Sequence, residues 1–182
     1  MKGLPILLVF LLAPFLLPAQ REGEELMAWS ASRKLSWADY KAEPNPDSDA
    51  AATTATYLIF SYSIRDDLPS YSIESKFSKT RSWGLHKTAY ILSHEQGHFD
   101  IAEIFARQLY KKITEYRFNK RSYQKDLKKI YQEILDEKEK MQQDYDRETN
   151  HSINREKQAE WLQKISRELE QYKDYAGYQK RP

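Results

Sequence analysis

Two histidines four positions apart, His94 and His98, enclose Glu95 in the stretch HEQGHFD of a chain that holds 4 histidines in all. On a helix, residues four apart share a face, so two imidazoles in this spacing can converge on one metal ion. Glu95 is turned about 100° from His94 and does not compete as a ligand. It is placed instead to take a proton from a water that a zinc ion activates, and to deliver it to a leaving amine. His94-Glu95-Gln96-Gly97-His98 fits the H-E-x-x-H pattern of zinc hydrolases. Gly97 costs helix stability, roughly 1 kcal/mol against Ala, and a glycine between two ligands allows close approach to the backbone.

A catalytic zinc site takes three protein ligands, and this helix does not supply the third. Glu103 lies about 180° round from His94. Asp100 also points away and is either a support behind an imidazole or a surface residue. His86 is more than ~10 Å below His94 along the axis and reads as a surface or N-terminal helix residue. The second helix returns antiparallel and brings the chain level with His98 in the low 140s. YDRETNHS, residues 145 to 152, then falls near the metal. His151, at a helix break, is the favoured third ligand, with Asp146 and Glu148 as carboxylate substitutes. Tyr145 either donates its hydroxyl to the oxyanion of an intermediate or completes the apolar stripe of its helix. Trp83 lines a cleft or sits in the core. Asn150-His151-Ser152 matches a glycosylation acceptor, which beside a metal ligand reads as accidental.

The elements that carry these residues divide the chain. Every proline of the region after the leader, Pro182 excepted, falls before residue 70. The earlier part reads as β-rich, with strands over 53–64 and 71–78, a turn at 65–70, a short strand at 79–83 and a weaker one at LSWADY, residues 35–40. From about residue 87 the periodicity is helical. Ile91, Ile101, Phe105 and Leu109 mark a first helix, and Leu127, Tyr131, Ile134, Met141 and Tyr145 a second. Leu162, Ile165, Leu169 and Tyr172 mark a third, with resets near 119–122 and 149–154. The expected fold is α+β and zincin-like: a small antiparallel sheet, then three helices, the first bearing the metal ligands. The edge strand near 79–83 is a candidate for holding an extended substrate.

Residues 1–19 have one lysine, a long apolar run and small residues near Ala19, the layout of a secretory signal peptide cleaved after Ala19. Residues 20–32 then form an N-terminal segment, 33–176 the metallohydrolase domain and 177–182 a tail. Secretion or a periplasmic location, without stable membrane insertion, follows from that leader. With 29 basic and 27 acidic side chains, of which cleavage removes only Lys2, the charge balance gives no reason to expect nucleic acid as a partner. The chain has no cysteine, so an exported domain rests on its core and on a metal rather than on disulfides.

HEQGHFDIAE and YDRETNHS, with LSWADY in support, resemble a bacterial family that carries a domain-of-unknown-function label and whose members are described as predicted secreted zinc-dependent proteases. The resemblance spans roughly residues 33 to 165. It implies zinc held by His94 and His98, Glu95 as the catalytic carboxylate, and His151 as a plausible ligand. Members often carry Gly where this chain has Ser152. The expected activity is zinc-dependent hydrolysis of a peptide or protein substrate. Two other readings are a cell-wall peptide amidase with the same site, and a non-catalytic periplasmic binding or assembly protein with a structural or vestigial metal.

Overall fold

A computed structural model describes residues 23–65 and 68–180. The proposed leader, residues 1–19, lies outside the described residues, as do Asp66 and Asp67. Five strands precede three helices: β1 (Leu26–Ala28), β2 (Ala52–Thr53), β3 (Thr56–Arg65), β4 (Leu68–Ser78), β5 (Trp83–Gly84), α1 (Ala89–Glu115), α2 (Tyr123–Thr149) and α3 (Arg155–Gln171). A 3-10 segment, Lys173–Lys180, follows α3. The class is α+β, a small antiparallel sheet followed by three helices, as the periodicity predicts.

The sheet has the order β1-β4-β3, and β3 and β4 form a hairpin in register from Thr56↔Phe77 to Arg65↔Leu68. The stretch expected as a turn, 65–70, is therefore strand from Leu68 onward. Pro69 is tolerated there because β1 pairs only with Lys76–Ser78, so the far end of β4 is an open edge. The strand expected at 53–64 is broken at Thr54–Ala55, where the Ala55 amide donates to Ser82 Oγ (3.0 Å) and its carbonyl accepts from Ser78 (2.9 Å). That break separates β2 from β3 and lets β2 pair with β5 instead. Of the strand expected at 79–83, only Trp83 is extended; Lys79–Arg81 is a turn. LSWADY is not a strand. Trp37–Asp39 is a 3-10 turn, because the Asp39 carboxylate reaches back to the Ser36 amide (3.0 Å) and hydroxyl (2.9 Å). Burial opposes ionisation of Asp39, but bonds from Arg33, Ser36 and Lys79 hold its pKa down at about 2.

Helix α1 is the central element. Thr88 caps it by accepting from the Ile91 amide (3.1 Å). Its residues Ile101, Ile104, Phe105, Leu109 and Ile113 recur at three- and four-residue spacing and are buried against Leu127, Ile134 and Tyr145 of α2, Trp161 and Ile165 of α3, and Leu58 and Ile73 of the hairpin. Glu103 faces away from His94, as its angular position requires. It is buried in a pair with Arg107 (2.8 Å), accepts from Tyr178 of the 3-10 segment, and so ties the chain end to α1. No helix among the described residues is long and apolar enough to cross a membrane.

Candidate metal centre

Helix α2 runs back along α1 and sets Gln142 beside His98 and Asp146 beside His94. His94 Nε2 and His98 Nε2 are 3.3 Å apart, and Asp146 Oδ1 lies 3.1 Å from the first and 3.0 Å from the second. Among the described residues this is the group of histidine and acidic side chains whose donor atoms converge as metal ligands do. Four ligands about 2.0–2.1 Å from a zinc ion stand roughly 3.3 Å from one another, and the two-nitrogen, one-oxygen set is one that zinc accepts. The spacing of the triangle therefore fits three of the ligands of a zinc ion.

Each imidazole is oriented differently. Gln142 accepts from His98 Nδ1 through its side-chain oxygen, and its amide nitrogen donates to the His98 carbonyl (2.9 Å). This fixes the tautomer that leaves Nε2 free for a metal. His94 is held by packing: Tyr145 stacks beneath it at 4.4 Å and 24°, and its Nδ1 is buried without a partner. Tyr145 does not reach the open side of the site. Its side chain is fully buried, its hydroxyl donates to the His94 carbonyl (3.3 Å), and burial pushes its phenol well above the ordinary value. Its place is the apolar stripe, not an oxyanion. Gly97 is the notch that admits it, since a Cβ there would stand 2.6 Å from the Tyr145 hydroxyl.

His151 lies outside the close triangle. Its Nδ1 is 3.8 Å from Asp146 Oδ1 and its side chain is 67% exposed. It stands beyond the end of α2, where Asn150, His151 and Ser152 all take left-handed backbone angles (φ 48°, 50° and 74°) and turn the chain towards α3. The group that this segment contributes to the triangle is Asp146, inside the helix. Glu148 is turned off the site and accepts from Trp161 Nε1 (2.8 Å).

The remaining letters of HEQGHFD attach the N-terminal segment. Asp100 accepts from Trp29 Nε1 and from Gln96 Nε2 (2.7 Å each) and pairs with Lys34 (3.3 Å), while Gln96 Oε1 accepts from the Leu35 amide (2.8 Å). Asp100 thus supports neither imidazole and is not a free surface residue. Trp83 is buried and His86 exposed, and neither borders the cleft.

Glu95 is 4% exposed and lines a cleft of about 400 Å³ together with His94, His98 and Asp146. No donor among the described residues holds its carboxylate. The opposite wall is Ala50–Thr54 with Thr56. The Leu85 amide donates to the Ala51 carbonyl (2.9 Å), so residues 51 and 53 of the β2 strand region face β5. By the alternation of an antiparallel pair, the amide and carbonyl of Ala52 point the other way.

Burial disfavours charge on His98, but the Asp146 carboxylate outweighs it, with help from Glu95 and Gln142, and raises its pKa to about 8. Burial also opposes ionisation of Asp146, yet the two histidines hold it well below the usual carboxylate range. With no ion bound, the His98 contribution to stability is complete below its unfolded value near ~6.5 and is lost as pH rises through about 8. A bound ion reverses the sign, because protons then compete for Nε2. Melting temperatures measured from pH 6 to 8.5 should fall with pH in chelated protein and rise with pH in zinc-loaded protein; parallel slopes would show that no ligand titrates.

Ser152 is buried, and its carbonyl accepts from Tyr90 of α1 (2.7 Å). A side chain in left-handed geometry costs about 1–2 kcal/mol that glycine avoids. Ser152→Gly should therefore raise the melting temperature by roughly 3 °C. A lower melting temperature would mean that packing of the serine side chain outweighs the strain.

Residues 18–152 match the model of a bacterial protein family of unknown function, DUF922. The match covers well over half the chain, and the protein belongs to that family. No curated protein and no solved structure matches the chain.

Proposed function

We propose that this protein is an exported, zincin-like, zinc-dependent peptidase. The observation that carries the reading is the triangle of His94, His98 and Asp146, with the unpaired Glu95 carboxylate lining the same cleft. A zinc ion held there supplies a Lewis acid that polarises a carbonyl and makes water acidic enough to lose a proton near neutral pH. The chain's own residues do the rest. Gln142 holds the His98 ring, Tyr145 packs under the His94 ring, and Asp146 supplies the negative charge that offsets the ion. Glu95 takes the proton from the attacking water and returns it to the leaving amine nitrogen.

An extended substrate is held by strand addition to the outward-facing edge of β2, at Ala52, which replaces the 79–83 edge as the candidate. Hydrolysis is favoured over a structural metal because three donors converge beside an accessible cleft, with His151 largely exposed on its lining and not in the close triangle.

The test is metal content and turnover together. Protein purified without a metal-affinity tag should take up one zinc per chain and cleave an unfolded protein substrate. Chelation should stop cleavage and zinc should restore it. Failure to take up zinc overturns the reading, and zinc uptake without cleavage of proteins or cell-wall peptides points to the non-catalytic class.

A further inference from the structure

The cleft contains one cation that nothing so far explains. Lys138 of α2 lines it with Glu95, His98, Gln142 and Asp146. It is partly buried, and no hydrogen bond or ion pair holds its ammonium among the described residues. Of its two acidic neighbours in sequence, Glu137 lies towards Lys112 (3.9 Å) and Glu139, on the same cleft, accepts from Gln143 (3.0 Å), while Asp146 is engaged by the two histidines. Burial pushes the Lys138 pKa down, with Glu139 opposing only in part. A half-desolvated ammonium without a counter-ion is costly, and an anion arriving beside it removes that cost.

The position suits a substrate subsite. Lys138, Gln142 and Asp146 follow one another at four-residue steps, so Lys138 stands about 6 Å along the axis from Gln142 and about 12 Å from Asp146. An extended chain rises roughly 3.3 Å per residue, which puts the ammonium two to four residues from the bond at the metal. The facing wall, Thr53, Thr54 and Thr56, offers hydroxyls and no charge.

We infer that Lys138 is a specificity residue that binds a carboxylate of the substrate, either the chain's C-terminal carboxylate or an Asp or Glu side chain a few residues from the cleaved bond. The inference deepens the peptidase reading and rests on it for the word substrate, but the binding itself needs no turnover.

The experiment is binding of three probes to zinc-loaded protein, followed by calorimetry and by the NMR signal of the Lys138 side chain. The probes are acetyl-Ala-Ala-Ala with a free carboxylate, the same peptide as its C-terminal amide, and acetyl-Ala-Glu-Ala-amide. A charge-assisted hydrogen bond predicts that at least one carboxylate probe binds roughly 10- to 100-fold tighter than the plain amide and shifts the Lys138 signal. Which of the two does so identifies the source of the carboxylate. Lys138→Met should erase the preference and Lys138→Arg should retain much of it, both with unchanged zinc stoichiometry. Equal binding of all three probes, no binding of any, or a preference that survives Lys138→Met overturns the inference. Loss of turnover in Glu95→Gln leaves these binding results untouched, so the two readings fail separately.

Discussion

Glu95→Gln is expected to abolish hydrolysis while the protein keeps its fold and its zinc. The carboxamide has the size of the carboxylate and fills the same buried place beside the cleft, but it has no basic oxygen pair to accept a proton. Loss of a positioned general base and acid lowers kcat by about 10²- to 10⁴-fold. Because Glu95 is turned away from the histidine face and stands outside the converging triangle, zinc content should stay at one per chain. The loss should appear in kcat with little change in KM, since a peptide paired along β2 does not need the carboxylate to bind. The measurement is paired zinc analysis and steady-state kinetics on one preparation. Turnover within tenfold of the parent protein would remove Glu95 from the chemistry. Loss of zinc with turnover would make it a structural support for the ion.

Asp146→Ala should cost the metal itself. Asp146 is the only anionic member of the triangle, and its oxygen lies within 3.1 Å of both imidazole nitrogens. Without it, two neutral imidazoles on one helix face remain, with solvent filling the other positions. The loss of zinc affinity should exceed the roughly 10- to 100-fold expected when an orienting partner such as Gln142 is replaced by Ala. His151→Ala should have a smaller effect, since the ring is largely exposed and 3.8 Å from the carboxylate. Competition for zinc against a chromophoric chelator gives all three affinities on one scale. The reverse order, with His151→Ala losing the ion and Asp146→Ala keeping it, would make His151 the third ligand and Asp146 its hydrogen-bonding support.

Two of the three converging groups are legible in the sequence, and the third is one of the two carboxylates kept there as substitutes for the favoured His151. The i, i+4 rule places His94 and His98 on one face without reference to anything else, because helix geometry is local. The return of α2 to the low 140s was also legible, because a short connection between amphipathic helices leaves little choice. Choosing among the residues of YDRETNHS needed more: the residue at which α2 stops, and the backbone hand of the turn after it. Asn150 closes α2 in left-handed geometry, which leaves His151 largely exposed on the cleft lining, 3.8 Å from Asp146, while Asp146 itself meets both imidazoles. One signal pointed there. Gln142 and Asp146 repeat the four-residue spacing of His98 and His94 in the opposite direction, as a facing antiparallel helix must. The β region was read less well because its short segments are decided by side-chain bonds. Ser36 with Asp39 converts LSWADY into a turn, and Ser82 with Ala55 breaks the strand expected at 53–64. Asp100 could be read either as a support behind an imidazole or as a surface residue because it lies two positions past His98, but with Gln96 it binds the N-terminal segment on the other face of α1.

The pairing of α1 with α2 also says where chain length can vary. The connection from Tyr116 to Ser122 lies at the far end of the helix pair from the histidine–aspartate triangle, some twenty residues from His98 along α1. Extra residues inserted there lengthen a loop and leave the packed faces as they are. A single residue inserted between Ile134 and Gln142 has the opposite effect. It rotates everything after it by about 100°, carrying Gln142 and Asp146 off α1 while Leu127 and Ile134 stay packed. The distance from the core stripe to Asp146 is therefore a fixed ruler, and the loop is a slack tether. Insertions and deletions among relatives should collect in the loop and spare the stretch from Ile134 to Asp146.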